Sequence, residues 1–199
     1  RAGSILTIFR LSIALCLFFL SGWDLADAGH TGFNLQTGRL LVASEKMTDP
    51  RFAESVILLV QHGPSGSLGL IMNNRSHLLP DQLPPEVLQG IRHIYFGGPV
   101  EPLAASILVF GKQPPGESKK ILPDVHLTQI NDLVSLLGQE EKVHFRMFLG
   151  YSGWAPGQLE MELAHGSWLV YPAEGRMLFQ ENVDKLWQQL YESGPVISL

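Results

Sequence analysis

The segment Val56-Ile-Leu-Leu-Val-Gln-His62 decides the fold class of this chain. It is a short apolar run, rich in β-branched residues, that stops at Gly63 and Pro64, and this pattern predicts a buried β-strand. After a turn of Pro, Ser and Gly comes a second apolar run, Leu68-Gly-Leu-Ile-Met-Asn73. The short spacing between the two runs predicts that they form a strand pair.

Five further segments of the chain predict strands. They are Ile94–Phe96, Ser106–Phe110, Val143–Leu149, Gln158–Leu163 and Ser167–Tyr171. Apolar and polar residues alternate strictly in the fourth of these segments, which predicts that Glu160 and Glu162 share one face of a strand. This number of strands predicts a β-rich domain.

Helical periodicity is clear in two segments. Apolar residues recur at i, i+3, i+4, i+7 and i+8 from Val183 to Tyr191, and four apolar residues share one face of Thr128–Leu137. A shorter helix is predicted over Pro84–Gln89. Strands and helices mix without regular alternation, so the sequence predicts an α+β fold in a single domain, residues 32–199, rather than a doubly wound parallel sheet.

The composition excludes several classes of protein. The chain has 199 residues, of which 45% are apolar and 17% charged, and its formal net charge is −5. These values exclude a disordered acidic tail and a polybasic arm for nucleic acid. The single cysteine excludes a disulfide framework and a zinc site made of several cysteines.

The first 28 residues predict a secretory signal peptide. Arg1 and Arg10 flank an apolar stretch, Leu11–Trp23 carries no charge, and Ala26–Ala28 has the sequence Ala-Asp-Ala. This order is typical of an exported protein, so we expect cleavage near Ala28 and a periplasmic location. The alternatives are an uncleaved membrane anchor, or a cytoplasmic protein if the start is wrongly assigned.

Motifs for several named chemistries are absent or incomplete. Gly63, Gly66 and Gly69 lack the lysine and the following helix of a phosphate-binding loop. The segment Gly150-Tyr-Ser-Gly-Trp154 has tryptophan where a nucleophile elbow needs its second glycine, and a strand is predicted after it instead of a helix. No two histidines have the spacing of metal ligands, so the sequence supports no metal site without excluding one.

Two groups of residues support an enzyme as the alternative to a binding protein. His62 ends a predicted buried strand beside a glycine turn, where a general base could lie. Glu160 and Glu162 would form a carboxylate pair, and such pairs catalyse acid–base steps when their pKa values are separated. A hydrolase that uses His62 or the two glutamates is the competing function. Lysine and arginine are scattered along the chain, so direct nucleic-acid binding is not expected.

The order of several motifs resembles the YqgE/AlgH family. These motifs are Gly38–Ala43, Asp49–Phe52, Ser55–His62, Gly69–Asn73, Gly97–Val100 and Gly150–Glu160, followed by Glu162, Trp168 and Pro172. The resemblance implies an α+β domain whose bifurcated β-sheet folds into a pseudo-barrel with flanking helices. It implies no established enzymatic activity or cofactor. One branch of the family carries the label of putative transcriptional regulator. Members of the family as a whole are typically cytoplasmic proteins without a leader.

We hypothesise that the family motifs meet at one binding groove. Its candidate residues are His62, Asn73, Gly97, Gly98, Tyr151, Gly153, Trp154, Gln158, Glu160 and Glu162. The glycines allow close approach of the backbone, and the alternative is that they and Trp154 build barrel corners. The sequence favours a non-enzymatic binding or regulatory protein whose partner is a protein, a peptide or a small molecule. Membrane contact is expected only through residues 1–28, if they are not cleaved.

Overall fold

The computed structural model describes residues 34–76, 83, 85–91, 93–138 and 142–194. The predicted signal peptide, residues 1–28, lies outside the described residues. The described strands are β1 (Arg39–Ala43), β2 (Val56–Gly63), β3 (Gly66–Ile71), β4 (Arg75–Ser76), β5 (Ile94–Phe96), β6 (Val100–Phe110), β7 (Lys119–Leu122), β8 (Val125–Thr128), β9 (His144–Trp154) and β10 (Trp168–Pro172). The described helices are α1 (Pro85–Gly90), α2 (Ile130–Leu137), α3 (Gln158–Ala164), α4 (Gly175–Leu178) and α5 (Leu186–Ser193), with a 3₁₀ turn at Val183–Lys185.

The described strands form a sheet in the order β10-β1-β2-β3-β9-β6-β8-β7, and β9 is its branch point. β3 pairs with the end of β9 at Ser152–Trp154, β5 pairs with it in parallel at Met147–Leu149, and β6 pairs along most of its length. The sheet curls into a half-barrel flanked by helices. The predicted α+β fold is confirmed.

Most of the predicted elements are confirmed, with changes in length. β2 and β3 are the expected strand pair, with His62 opposite Ser67. The predicted strand at Ser106–Phe110 is the second half of β6, and the one at Val143–Leu149 continues to Trp154 in β9. The three predicted helices correspond to α1, α2 and the 3₁₀ turn followed by α5.

The predicted strand at Gln158–Leu163 is wrong, because this segment is helix α3. Leu159 and Leu163 lie one helical turn apart and are buried, whereas Met161, which strict alternation would bury beside them, is 58% exposed. The residue types of the segment are strong helix formers. Alternation over so few residues does not distinguish the period of a strand from the i, i+4 spacing of a helix.

Both faces of the central strands are buried. Leu40 and Leu58 face a core cluster that α5 completes, and their neighbours Leu41 and Ile57 face a second cluster that α3 completes. This burial explains the uninterrupted apolar runs of β1 and β2, since a strand with one solvated face would alternate. A third cluster packs α1 and α2 against β5, β6 and β9. Helices α3 and α5 are thereby held on opposite faces of β1 and β2.

Candidate functional site

Half of the candidate groove residues lie together around α3. They are His62, Trp154, Gln158, Glu160 and Glu162. His62 lies near the end of β2, and Trp154 is the last residue of β9. Between β9 and α3, Gly157 has a φ of 75°, a left-handed conformation that glycine adopts without steric strain. This turn directs α3 back beside the β2-β3 hairpin.

The Glu162 carboxylate anchors α3 to two tryptophans. Its Oε2 accepts hydrogen bonds from the indole Nε1 of Trp154 at 2.9 Å and of Trp168 at 2.7 Å. Its Oε1 accepts a hydrogen bond from Gln158 Nε2 at 2.9 Å. The two tryptophans are 6% and 2% exposed, so their N–H groups need an acceptor inside the protein. Glu162 therefore has a structural role that joins α3 to β9 and β10.

The predicted carboxylate pair of Glu160 and Glu162 does not form. Two residues separated by one position on a helix point roughly 200° apart, because each residue turns the helix by about 100°. Glu160 Oε1 accordingly lies 3.9 Å from His62 Nε2, whereas Glu162 binds the two indoles. A catalytic carboxylate pair requires two acids at one reaction centre, and this geometry separates them.

His62 links Ser67 to Glu160. Its Nδ1 lies 2.8 Å from Ser67 Oγ, and its Nε2 faces the Glu160 carboxylate. The order serine, histidine, carboxylate occurs in acyl-transfer enzymes, where the histidine takes the proton of the serine. Ser67, however, is 3% exposed and pairs on both sides, with β2 and β9. The arrangement therefore fits a histidine that connects the hairpin to α3.

Gly97 and Gly98 allow the segment before β6 to contact β9 backbone to backbone. A Cβ atom at Gly97 would collide with the carbonyl oxygen of Gly150, and one at Gly98 would collide with the backbone of Tyr151. Gly153 differs, because the nearest atom to its Cβ position is 3.6 Å away. The first two glycines thus serve the close approach of two segments, as in the barrel-corner alternative.

The motif Gly150–Trp154 does not expose a nucleophile. Ser152 is fully buried and donates a hydrogen bond to the Gly97 carbonyl at 3.2 Å. A helix does follow the motif, contrary to the sequence prediction, but it begins only at Gln158, beyond the sharp turn of a nucleophile elbow. Tyr151 lies beside Glu101, and burial together with that carboxylate raises the pKa of the Tyr151 phenol.

Asn73 lies in other surroundings, just beyond the end of β3. Its Oδ1 accepts a hydrogen bond from the Val56 N–H at 2.9 Å, and its Nδ2 donates to the Glu54 carbonyl at 2.9 Å. These bonds hold the loop between β1 and β2 against the end of β3. Asn73 also borders a cavity that none of the five residues around α3 lines. The candidate residues therefore occupy separate places.

The cavity beside Asn73, which we call the Asn73 cleft, has a volume of about 750 Å³. One wall comes from the loop between β1 and β2 and from the end of β3. The opposite wall comes from the 3₁₀ turn and from one face of α5, which contributes Trp187, Gln188, Tyr191 and Glu192. The cleft thus lies between the sheet and the C-terminal helix.

Among the described residues that line the Asn73 cleft, acidic side chains outnumber basic ones. The acidic residues that line it are Glu45, Glu54, Asp184 and Glu192, and the basic one is Arg51. Arg51 Nη2 lies 2.6 Å from Asp49 Oδ2, and their hydrogen bonds lower the pKa of Asp49 and raise that of Arg51. Arg75 Nε lies 3.3 Å from Asp184 Oδ1. The cleft therefore keeps an excess of negative charge.

An aromatic pair lies on the α5 wall of the cleft. The rings of Trp187 and Tyr191 are stacked, with centroids 5.0 Å apart and an interplanar angle of 15°. Trp187 Nε1 donates a hydrogen bond to the Ala43 carbonyl at 2.7 Å, which fixes the indole to the end of β1. Aromatic rings in such a position offer a ligand a flat apolar surface.

The comparison with known proteins identifies the family. A model of the AlgH-like family matches residues 40–196. The chain belongs to the AlgH-like family. A UPF0301 protein of Myxococcus xanthus is 36% identical to this AlgH-like chain over 160 residues, which cover 77% of the chain and 87% of the relative. A UPF0301 protein of Stutzerimonas stutzeri is also 36% identical, over 150 residues that cover 70% of the chain and 78% of the relative.

Two solved structures resemble this AlgH-like chain. The solution structure of the AlgH protein from Pseudomonas aeruginosa has a TM-score of 0.64 and 30% identity, and covers 87% of this chain and 95% of that one. The crystal structure of protein DIP2367 from Corynebacterium diphtheriae has a TM-score of 0.68 over 80% of this chain and 87% of that one. At 24% identity, the second comparison shows similarity of fold alone. The family predicted from the sequence motifs is confirmed.

Sequence reasoning missed the α5 wall of the cleft in this AlgH-like protein. The apolar stripe that predicted the helix treats Leu186, Trp187, Leu190 and Tyr191 as one face. In the structure Leu186 and Leu190 are buried in the core, while the two aromatic residues beside them line the cleft. The sequence carries no signal for this division, because apolar residues at i, i+3, i+4, i+7 and i+8 are the ordinary pattern of a helix that buries one face.

Within the described ranges, no three His, Cys, Asp or Glu side chains form a group that could hold a metal ion. In that same part of the chain, no helix has the length and apolar character of a membrane span.

Proposed function

We propose that this AlgH-like protein is an exported, non-enzymatic binding domain whose ligand occupies the Asn73 cleft. The observation that carries the proposal is the cleft itself, about 750 Å³ between the sheet and α5. This volume suits a small molecule or a short peptide segment. Its walls offer amide, carboxylate and aromatic groups, which give a ligand both orientation and contact area.

The walls of the cleft are held in place before a ligand arrives. The side chain of Asn73 bonds the backbone of the loop at Glu54 and Val56, and the indole of Trp187 bonds the end of β1. A site whose walls are already ordered loses less conformational entropy on binding. This rigidity supports a binding role.

A hydrolase is the second candidate function, favoured by the contacts of His62 with Ser67 and Glu160. Against it, the Ser67 hydroxyl is buried, and Glu162 is committed to the two indoles. A serine-reactive fluorophosphonate probe distinguishes the two functions. The binding proposal expects no label on Ser67, whereas labelling that disappears in Ser67→Ala would favour the hydrolase.

Export is part of the proposal and rests on the sequence of residues 1–28. Mass spectrometry of the native protein tests it, with a mature N-terminus at Gly29 as the expected result. An intact leader in the membrane fraction would favour an anchored protein instead. An intact N-terminus in the cytoplasm would contradict export and leave the transcriptional-regulator alternative open. Direct contact with nucleic acid is not proposed, because the net charge is −5 and the cations are scattered.

A ligand screen on ¹⁵N-labelled protein tests the cleft. Small molecules and short peptides are added, and the amide signals that move are assigned. We expect the shifts to cluster at Asn73, Trp187 and Tyr191 for any specific ligand. Shifts confined to His62 and the start of α3 would contradict the proposal.

A pair of variants on α5 provides the matched control. Gln188 lines the cleft, whereas Gln189, its neighbour on the same helix, does not. Both side chains are exposed, so replacement by arginine should leave the fold intact. We expect Gln188→Arg to change the affinity for the ligand and Gln189→Arg to leave it unchanged. Equal effects would mean that the ligand does not occupy the cleft.

A further inference from the structure

We infer that the ligand of the Asn73 cleft is an organic cation, with a protonated amino or guanidinium group on an aliphatic stem. This inference rests on the proposed binding function and specifies the chemistry of its ligand. Two features of the cleft lead independently to the same class of ligand: carboxylates with no cationic partner among the described residues, and a stacked aromatic pair.

The first feature is the state of the carboxylates that line the cleft. Among the residues that the structure describes, no cation pairs with Glu45, Glu54 or Glu192. Glu192 accepts a hydrogen bond from the neutral side chain of Gln188 at 2.8 Å. Arg51, the basic residue among the described residues that line the cleft, is already paired with Asp49 outside it. A cation that enters the cleft is therefore attracted by carboxylates that the described cations do not neutralise.

The second feature is the stacked pair of Trp187 and Tyr191 on the opposite wall. The face of an aromatic ring carries a negative quadrupole and attracts ammonium and guanidinium groups. The same rings provide apolar area for the methylene stem that carries such a group. A bare metal ion has no stem to pack against the rings, and a neutral ligand has no charge to pair with the carboxylates. The combination of rings and acids therefore favours an organic cation.

The shape of the cleft is consistent with this class. The carboxylates of Glu45 and Glu54 come from the loop wall, whereas the rings and Glu192 come from α5. A ligand between the walls can place its charge near the loop and its stem along the rings. A free polyamine and the side chain of a lysine in a peptide share this chemistry, and the experiment must separate them.

Isothermal titration calorimetry on the full chain provides the test, at low and moderate salt. The probes are spermidine, a blocked Gly-Lys-Gly peptide, fully acetylated spermidine as the neutral analogue, and maltotriose as a neutral polar ligand. We expect spermidine or the lysine peptide to bind, and the affinity to fall as salt rises because surface charges are screened. The probe that binds more tightly shows whether the cleft prefers a free polyamine or the side chain of a lysine in a peptide. Acetylated spermidine that binds as tightly as spermidine would overturn the inference.

Variants locate the binding and provide controls. The triple variant Glu45→Gln, Glu54→Gln, Glu192→Gln keeps the size of each exposed side chain and should weaken binding by about tenfold or more, summed over three charge contacts. Tyr191→Leu should weaken it by roughly two- to fivefold through loss of the ring. Glu117→Gln, an exposed acid outside the cleft, should have no effect. Unchanged affinity in the triple variant, with an unchanged urea midpoint, would also overturn the inference.

The outcomes separate this inference from the proposed function. Binding of maltotriose in the cleft, with no binding of either cation, would overturn the organic-cation inference and leave the binding function standing. Amide shifts that place a bound cation away from Asn73 and Tyr191 would contradict the proposed site itself. If neither cationic probe binds, the inference fails, and the broader ligand screen decides the binding function.

Discussion

At the scale of single residues, the contacts of Glu162 explain why two neighbouring acids have different roles. Its carboxylate accepts hydrogen bonds from two buried indoles, whereas Glu160 faces the half-buried ring of His62. A buried donor that loses its acceptor costs the full desolvation energy of that group. Stability should therefore depend on Glu162 much more than on Glu160.

Glu162→Leu should lower the free energy of unfolding by about 2–4 kcal/mol, because it leaves two indole N–H groups without an acceptor. Urea denaturation measures the effect from the shift of the midpoint at an unchanged slope. Glu160→Gln is the control and should change stability by less than about 0.5 kcal/mol. Similar losses in both variants would contradict the structural role of Glu162.

His126 is a buried histidine whose protonation should weaken the fold. It is 5% exposed, and its Nδ1 has no hydrogen-bond partner among the described residues. Burial and the nearby charge of Lys120 lower its pKa from the usual 6.5, and Asp124 opposes this with a smaller effect. The unfolded chain therefore binds a proton at His126 more readily than the folded one does. The stabilising contribution is complete above about pH 6.5 and is lost as the pH falls below that value toward the folded pKa.

The test compares the wild type with His126→Gln, whose side chain does not titrate. Urea unfolding at pH 7.5 and 5.5 gives the free energy of each protein. Between the two pH values we expect the wild type to lose more stability than the variant, since the remaining histidines are common to both. Equal losses would show that His126 does not carry the effect.

At the scale of elements, the crossing of the Gly97–Gly98 segment over β9 connects the two parts of the branched sheet. Gly97 N–H donates to the Leu149 carbonyl at 2.8 Å, and the Gly97 carbonyl accepts from Ile71 N–H at 2.9 Å. Side chains at these glycines would separate the backbones that make these bonds.

Gly98→Ala should lower the free energy of unfolding by at least about 2 kcal/mol, because its Cβ would overlap the backbone of Tyr151 and neither segment can move freely. Gly153→Ala is the matched control, since its Cβ would make only ordinary van der Waals contacts, the nearest at 3.6 Å, and it should be close to neutral. Thermal unfolding by circular dichroism compares the two. A Gly98→Ala protein as stable as the control would contradict the close approach.

Arg146 joins β9 to the segment that follows α4. It is 8% exposed, its guanidinium lies 4.9 Å from the Tyr95 ring and 5.6 Å from the Phe179 ring, and it donates to the Gln180 carbonyl. Its Nη1 finds no acceptor among the described residues. The side chain therefore contributes packing between two rings as well as a buried charge.

Arg146→Met should be more stable than Arg146→Lys. Methionine fills the space between the rings without a buried charge, whereas a lysine ammonium loses the planar stack and remains costly to bury. Urea midpoints of the two variants give the order. A lysine variant equal to or above the methionine variant would show that the charge, not the packing, matters at this position.

At the scale of the whole molecule, β9 makes the sheet a single unit. It pairs with β3, β5 and β6, so neither part of the sheet is complete without it. Helix α5 adds a second link, because Tyr171 Oη donates to the Leu190 carbonyl and Trp187 Nε1 donates to the Ala43 carbonyl. These connections favour a cooperative unfolding transition.

We expect one transition in urea, with the same midpoint by tryptophan fluorescence and by far-ultraviolet circular dichroism. Trp154, Trp168 and Trp187 report the part of the sheet around β1, β10 and the end of β9, whereas circular dichroism reports all of the regular structure. Equal midpoints would show that the two parts of the sheet unfold together. Separate midpoints would indicate that one part of the sheet unfolds alone.

Much of the fold follows from local sequence. The apolar run of β2 predicts a buried strand, and the stripe from Val183 to Tyr191 predicts the C-terminal helix, because the apolar periodicity of a segment is a local property. The motifs from Gly38 to Glu160 identify the AlgH-like family. One error of prediction is Gln158–Leu163, where the apolar pattern fits both a strand and a helix. Another is the end of β9, which pairing with the distant strand β3 extends through Gly150–Trp154.

The sequence by itself determined the α+β class, most of its elements and the family, since periodicity and motif order are written along the chain. Only the tertiary structure decided that Glu160 and Glu162 point to different sides of α3. This segment forms a helix rather than a strand because the helix buries both Leu159 and Leu163. Only the tertiary structure formed the Asn73 cleft, whose walls are more than a hundred residues apart in the chain. A cleft depends on which distant segments pack together, and no local pattern contains that information.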